Sequence, residues 1–168
     1  MQYRLFLAGL LLAAIPLPQD PAVSPSAAAR DVQEIEAAVR AFVRAIDEFD
    51  LAGVDASFAA SATAFYPFCF TPHRLDGKAA ILEQQERGFV WAREQLVSIG
   101  RRPPFTLGLQ PTAMKVQRLG DDVAVVTWHS DRSGRAGRRT SVLQKLDGRW
   151  RTVHHHASNQ ALPQAGER

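Results

Sequence analysis

The chain has 168 residues and a mass of 18.5 kDa, a length typical of one compact domain with short tails. Its 46% hydrophobic and 22% charged residues exclude intrinsic disorder, collagen-like repeats and a protein with many membrane spans. The net charge of +3 is too small for an electrostatic nucleic-acid binder, so we expect no nucleic-acid partner. The single cysteine, Cys69, excludes an intrachain disulfide framework and a zinc site built from several cysteines.

Residues 1–22 have the pattern of an export signal. Arg4 precedes an unbroken apolar run from Leu5 to Ile15, which has the length of a secretory hydrophobic region and is too short to span a bilayer. We therefore predict a periplasmic or secreted protein with no stable membrane anchor after signal removal. The mature chain should begin between about residues 15 and 30, with 23–30 as a flexible leader. The alternative is an uncleaved helix that tethers the protein to the membrane, because the sequence marks the cleavage site poorly.

Three helices are predicted in the first part of the chain. From Asp31 to Phe49 apolar residues recur every three or four positions, which places them on one face of an amphipathic helix. Asp31 and Glu34 form a capping arrangement at its start. A short second helix is expected from Leu51 to Ser61, and a third from Lys78 to about Gln95.

The second part of the chain predicts strands. A β-prone run at 63–67 is stopped by proline, and a brief strand at 73–75 precedes the third helix. Further strands, all antiparallel, are expected at 105–109, 112–119, 123–130, 138–146 and 150–158, separated by Gly- and Asp-containing turns. The order predicts an α+β fold with three N-terminal helices packed on a curved antiparallel sheet, a domain over 31–159 and a flexible tail over 160–168. A hollow at the open end of such a sheet is the expected functional site.

Three stretches carry a family resemblance that spans about residues 31–159. They are residues 63–67 followed by 75–77, residues 119–126, and residues 147–158, where Trp150 is followed by Val153, His154, His156 and Ser158. Together with the element order they resemble the nuclear-transport-factor-2-like (NTF2-like) superfamily, in particular its SnoaL-like branch and the association domain of calmodulin-dependent kinase II.

The resemblance implies a cone-shaped fold with a pocket and a homodimer formed through the outer face of the sheet. We expect that face to carry Trp150, His154 and His156. Similar proteins include isomerases, cyclases, dehydratases and many members without a known reaction, so the fold alone implies little about chemistry. A pure oligomerisation module is a third reading, although no second domain is present for it to organise.

His155 is the candidate catalytic residue. Side chains alternate along a strand, so His154 and His156 share one face while Val153, His155 and Ala157 share the other, which the resemblance turns toward the pocket. A histidine there can act as a general base, or as a hydrogen-bonding group without catalysis. We expect it to be neutral at pH 7.

A metal site is the alternative use of this strand. His154 and His156 form a His-x-His pair that can chelate zinc or copper if His129 or His73 supplies a third ligand. The resemblance instead makes the pair structural, on the dimer side. We therefore predict no metal and no cofactor.

Aromatic and polar residues complete the predicted ligand-binding set. Trp128 and Ser130 share the face of their strand that the resemblance turns toward the pocket, and Arg139, next to Ser141, could meet an anionic group. The kinase association domain has pocket arginines where this chain has Ser130, Ser141 and Ala157. A bulged three-residue hairpin is expected at 146–148, because it puts Ser141, Leu143 and Val153 on one face. The candidate ligand-binding residues are Phe65, Tyr66, Trp91, Trp128, Ser130, Arg139, Ser141 and His155, with Phe68, Phe70 and Phe89 as further aromatic candidates.

Two functions follow from these residues. The first is an exported pocket protein that binds a small, largely apolar ligand without turnover. The alternative is an isomerase-, cyclase- or dehydratase-type enzyme that uses His155 as acid or base, with Arg139, Ser141 or Tyr66.

Overall fold

The structure is a computed structural model that describes residues 26–67, 72–131 and 134–161. The predicted export signal, Phe68, Cys69, Phe70 and the last seven residues lie outside these ranges. The helices are α1 (Ala27–Asp47), α2 (Leu51–Ser57) and α3 (Lys78–Ser98), and the strands are β1 (Phe58–Phe65), β2 (Leu75–Asp76), β3 (Thr112–Arg118), β4 (Val123–His129), β5 (Arg135–Leu146) and β6 (Arg149–Ala161). No helix in the described ranges combines the length and apolar character needed to cross a membrane.

One six-stranded sheet, in the order β2-β1-β6-β5-β4-β3, packs against the helices. The predicted α+β class is thereby confirmed. One pairing differs from the prediction, because β1 runs parallel to β6 while all other neighbours are antiparallel. The core between helices and sheet contains Ile35, Phe42, Phe58, Trp128 and Leu143, all of them buried.

Helix α1 begins four residues before the predicted start. Ser26 is its N-cap, and the Ser26 hydroxyl accepts a hydrogen bond from the amide of Ala29 at 3.2 Å. Asp31 serves a different purpose, since its carboxylate pairs with Lys145 at 2.9 Å and Arg118 at 3.2 Å. These ion pairs tie the start of α1 to β5 and β3, and the Lys145 hydrogen bond lowers the pKa of Asp31.

Two other boundaries correct the predictions. Strand β1 begins directly after α2 at Phe58, so the alanine-rich residues 59–62 are strand and not the end of a helix. The segment 105–109 is not a strand. Its amides at Leu107 and Leu109 donate to the Asp47 carbonyl (3.2 Å) and carboxylate (2.7 Å), so they bind the end of α1 and not a neighbouring strand.

The β5–β6 hairpin is tighter than predicted, and its irregularity lies elsewhere. Leu146 pairs with Arg149 across the two-residue turn Asp147-Gly148, whose φ values of 49° and 74° suit a tight hairpin. The register shifts further along, where Val142 pairs with His154 and Leu143 with Thr152.

This bulge at Val153 switches the face of β6. Trp150 and Thr152 point inward before it, and His155 and Ala157 point inward after it. Trp150 is therefore a buried core residue and not part of the outer face, which corrects our prediction. Ser141 and Leu143 are both buried on the inward face, as expected.

Candidate functional site

A cavity of about 440 Å³ lies between α1, α3 and the ends of β4, β5 and β6. Its volume falls in the range of small-molecule sites. The lining is mostly apolar and aromatic, with a few polar groups on the sheet side. It consists of Phe42, Val43, Ile46, Tyr66, Pro67, Gln85, Trp91, Ala92, Gln95, Leu96, Ile99, Leu107, Leu109, Trp128, Ser130, Arg135, Arg139, His155, Ala157 and Asn159.

The strand register arranges the sheet wall of this cavity in three rows. Since side chains alternate, every second residue in this part of β4, β5 and β6 faces the side of the sheet on which the cavity lies. The rows are Val126–Ser141–His155, then Trp128–Arg139–Ala157, then Ser130–Gly137–Asn159. All three residues of the row that contains His155 are buried, and the last row lies near the strand ends.

Gly137 allows the last row to form. The Ser130 amide donates to the Gly137 carbonyl at 2.9 Å, and a Cβ on Gly137 would lie only 2.3 Å from the Ser130 carbonyl oxygen. Any side chain at this position would therefore push the end of β4 away. The glycine holds Ser130 against β5 and at the cavity.

His155 sits in a largely aromatic environment. It is 2% exposed, and its ring centroid lies 5.1 Å from that of Phe42, 5.7 Å from that of Tyr66 and 5.7 Å from that of Trp128. Its Nδ1 shares a hydrogen bond of 2.9 Å with the Ser141 hydroxyl. Nε2 is therefore the ring nitrogen left for a ligand.

The surroundings of His155 oppose its charged form. Burial lowers its pKa to about 3, and the positive charge of Arg139 acts in the same direction. The imidazole is consequently neutral at pH 7, and its Nε2 can donate or accept one hydrogen bond depending on the tautomer.

Tyr66 follows the end of β1 and lines the cavity beside His155. Burial raises the pKa of its phenol, so the hydroxyl is protonated at neutral pH. The neutral pair Tyr66 and His155 gives the deep part of the cavity polar atoms without charge.

Arg139 supplies charge in the middle row. Its Nη1 donates to the carbonyls of Arg138 (2.9 Å) and Ser158 (2.7 Å), and its Nη2 donates to the Asn159 amide oxygen at 3.0 Å. Burial lowers the pKa of Arg139 while Asp131 opposes that change. These contacts hold the guanidinium in place at the cavity wall.

Two buried polar atoms of the lining have no hydrogen-bond partner among the described residues. They are the Ser130 hydroxyl and the side-chain carbonyl oxygen of Gln85. Unsatisfied buried groups are uncommon in folded proteins and often mark functional sites. We did not predict Gln85, although it is a polar residue four positions after Ile81 and four before Phe89 on α3, a signal that could have found it.

The structure brings most of the predicted residues together. Tyr66, Trp91, Trp128, Ser130, Arg139 and His155 line the cavity. Ser141 lies behind His155 and contacts it without lining the cavity. Phe89 packs against Phe49 in the core, with ring centroids 5.3 Å apart.

Phe65 is the exception and corrects our prediction. Ala62 and Ala64 of β1 point inward, so Phe65 lies on the outer face of the sheet, where it is 38% exposed. Its ring contacts those of His154 and His156, with centroids 6.1 Å and 5.8 Å away. The parity of β1 therefore excludes Phe65 from the cavity.

His154 and His156 lie on that outer face. The Nδ1 of His154 shares a 2.8 Å hydrogen bond with the Thr63 hydroxyl of the neighbouring strand. In the parts of the chain that the structure describes, no three His, Cys, Asp or Glu side chains converge as metal ligands would. Burial and the charge of His156 lower the pKa of His154.

The comparisons with known proteins concern both family and fold. A family model for the SnoaL-like domain matches residues 35–163. No curated protein sequence matches the chain. An NTF2-like protein of unknown function from Pseudomonas putida is similar in structure, with a TM-score of 0.63, 20% identity, and coverage of 81% of this chain and 96% of that one.

Two further solved structures are similar at the level of the fold. A candidate dehydratase of the NTF2-like family from Streptomyces avermitilis has a TM-score of 0.61 and 18% identity, covering 78% of this chain and 97% of that one. The association domain of C. elegans CaMKII has a TM-score of 0.57 and 22% identity, covering 77% and 95%. Because the family model spans most of the sequence, this chain belongs to the SnoaL-like domain family, with an NTF2-like fold.

Proposed function

We propose that this protein binds a small, largely apolar molecule in the cavity between α1, α3 and the sheet, without converting it. The observation that carries the proposal is a cavity of about 440 Å³ whose lining is mainly aliphatic and aromatic around a neutral, fixed histidine. Such a lining stabilises an apolar ligand by removing its surface from water, and a few fixed polar groups orient it.

The state of His155 favours binding over acid–base catalysis. A general base works best when its pKa lies near the working pH, whereas burial lowers the pKa of His155 to about 3. Such an imidazole takes up a proton poorly at pH 7 but remains a good hydrogen-bonding group. Its partner Ser141 acts as a positioning residue that orients the ring.

An enzyme of the isomerase, cyclase or dehydratase type is the second candidate function. The observation that favours it is the placement of Tyr66, a protonated phenol, next to His155, with ring centroids 5.7 Å apart. The similar Streptomyces avermitilis protein, described as a candidate dehydratase, is consistent with it. Recovery of an altered compound after incubation with the protein would favour this second function.

The binding proposal is tested with N-phenylnaphthylamine, a neutral aromatic probe whose fluorescence rises in apolar surroundings. We expect saturable binding to the wild type and at least about tenfold weaker binding to Ala157→Phe. The phenylalanine side chain would fill the space in the cavity next to Arg139. The matched control is Ala79→Phe, at an exposed position of α3. Binding that is equal in wild type and Ala157→Phe would overturn the proposal.

Export is a further part of the proposal, supported by the apolar run from Leu5 to Ile15 after Arg4. We expect the native protein outside the cytoplasm with an N-terminus between about residues 15 and 30. Mass spectrometry of the native chain checks this, and an intact Met1 in the soluble cytosolic fraction would contradict it.

We also propose that two copies associate through the outer sheet face. Phe65, exposed between His154 and His156, gives this face an apolar aromatic patch that no helix in the described residues covers. Similarity to a kinase association domain supports oligomerisation.

A further inference from the structure

The charged side chains that line the cavity in the described residues are all positive. Among the described residues, the lining of the cavity includes Arg135 and Arg139 and no aspartate or glutamate. We propose that the ligand is an amphiphilic carboxylate, whose carboxylate group binds Arg139 and Ser130 while its apolar body lies against Trp128. This inference rests on the proposed function and specifies the class of molecule that the cavity takes.

Arg139 has donors left for a ligand. Its three hydrogen bonds go to neutral oxygens, and the guanidinium carries more N–H groups than these bonds use. The Nε–H and one Nη2 hydrogen have no acceptor among the described residues. A half-buried guanidinium whose hydrogen-bond partners are all neutral is well suited to bind an anion.

Several other basic side chains of the described chain have carboxylate partners. Arg118 and Lys145 share Asp31, and Lys78 pairs with Asp55 at 2.8 Å. Within the described residues Arg139 has no carboxylate within ion-pair distance. Asp131, whose charge raises the pKa of Arg139, accepts a hydrogen bond from the Gly137 amide at 3.1 Å.

Ser130 adds a hydroxyl in the row next to Arg139. This hydroxyl is buried, lines the cavity and has no partner among the described residues. Arg135, exposed on the same strand, adds positive charge at the edge of the cavity. Two remaining guanidinium hydrogens and one hydroxyl match the two oxygens of a carboxylate, whereas a phosphate dianion presents more acceptors than these groups satisfy.

Apolar residues occupy the remainder of the cavity. Trp128 is in the same row as Arg139, and Leu96, Leu107 and Leu109 lie on the helix side. A ligand that pairs with Arg139 and Ser130 and also fills the apolar part of the cavity therefore has one anionic end and an apolar body. A small polar anion such as acetate would leave most of the cavity wall without a partner.

The test compares three probes with the same apolar body: cinnamate, neutral cinnamamide and cationic cinnamylammonium, titrated calorimetrically into the full chain at pH 7. We expect cinnamate to bind about tenfold to a hundredfold more tightly than cinnamamide, because it gains charge-assisted hydrogen bonds. Cinnamylammonium should bind more weakly than cinnamamide. This comparison uses the wild type and does not depend on the folding of a variant.

Variants then locate the anion. Arg139→Gln should lower the affinity for cinnamate at least about tenfold and lower that for cinnamamide much less, because only the carboxylate loses a charge-assisted hydrogen bond. The control Arg138→Gln removes a neighbouring arginine that is exposed on the opposite face of β5, and it should leave both affinities unchanged.

Cinnamamide that binds as tightly as cinnamate, or cinnamate binding that Arg139→Gln leaves unchanged, would overturn the inference and leave the proposed function standing. If the wild type bound none of cinnamate, cinnamamide and N-phenylnaphthylamine, both the carboxylate inference and the proposed function would fail. If N-phenylnaphthylamine bound and cinnamate did not, only the carboxylate inference would fail.

Discussion

At the scale of single residues, His155 affects both the hydrogen bonding in the cavity and the stability of the fold. Its pKa is about 3 in the folded chain and 6.5 as a free side chain, because burial opposes the imidazolium. Between these two values the unfolded chain binds more protons than the folded one. The contribution of His155 to stability is therefore complete above about pH 6.5 and is lost as the pH falls toward 3.

We predict that this loss reaches at most about 1.4 kcal/mol per pH unit. Urea unfolding of the wild type at pH 7 and pH 5 measures it, in a range above the ordinary titration of carboxylates. His155→Gln should remove most of this pH dependence while keeping a hydrogen-bonding group beside Ser141. An equally steep decline in that variant would show that His155 is not the group responsible.

Ser141 should stabilise the fold through His155. Ser141→Ala leaves the buried Nδ1 without its 2.9 Å partner, and we predict a loss of about 1–3 kcal/mol in the free energy of unfolding. A double-mutant cycle with His155→Leu tests the coupling, because the double variant should lose less than the two single variants together. Effects that add within about 0.5 kcal/mol would contradict a direct interaction.

For single residues, strand alternation shows which side chains share a face, and the family resemblance chose the face that turns toward the pocket. His155, Trp128 and Ser130 lie on that face and line the cavity. Strand alternation could not place Phe65, because β1 begins at Phe58 and only the start and pairing of the strand decide which residues face inward. Gln85 was missed although its spacing of four residues from both Ile81 and Phe89 places it on the buried side of α3.

At the scale of secondary-structure elements, the accuracy of the predictions depends on irregularities that a single sequence does not indicate. The pattern of α1 indicates a helix strongly, since its apolar face is long and regular. The bulge at Val153 has no comparable signal, because a shift of one residue in pairing is decided by packing on both strands. For that reason Trp150 was placed on the wrong face although the fold class and the inward position of Ser141 were correct.

Gly137 is the element-scale feature that most directly shapes the cavity. Gly137→Ala would place a Cβ 2.3 Å from the Ser130 carbonyl oxygen, so the end of β4 must move away from β5. We predict a loss of about 1–3 kcal/mol in the free energy of unfolding and weaker binding of N-phenylnaphthylamine. Ala136→Ser, one residue away on the other face, should stay within about 0.5 kcal/mol of wild type. Equal stability of Gly137→Ala and wild type would contradict the tight contact.

At the scale of the whole molecule, the outer sheet face should join two copies. Phe65→Asp places a charge in the aromatic patch with His154 and His156, so we predict that it weakens the dimer at micromolar concentration in sedimentation. Val90→Asp is the matched control, because Val90 is an exposed apolar residue on α3. A monomeric wild type at this concentration, or a Phe65→Asp protein that still dimerises, would contradict the proposal.

The resemblance to SnoaL-like proteins carried more information at this scale than composition or periodicity did, and the family match confirms it. The order of elements predicted a curved sheet with a hollow at its open end, and the resemblance implied the same cone-shaped fold with a pocket. The resemblance could not predict the ligand, because the fold is common to proteins with different functions.

Native mass spectrometry of the protein isolated from the cells that make it tests the central claim, the binding of a small molecule without turnover, most directly. We predict that the wild type carries a small organic molecule, that Ala157→Phe carries much less of it, and that the released compound is recovered unaltered after renewed incubation with the protein. A wild type without any bound molecule, equal occupancy in Ala157→Phe, or conversion of the compound would contradict it.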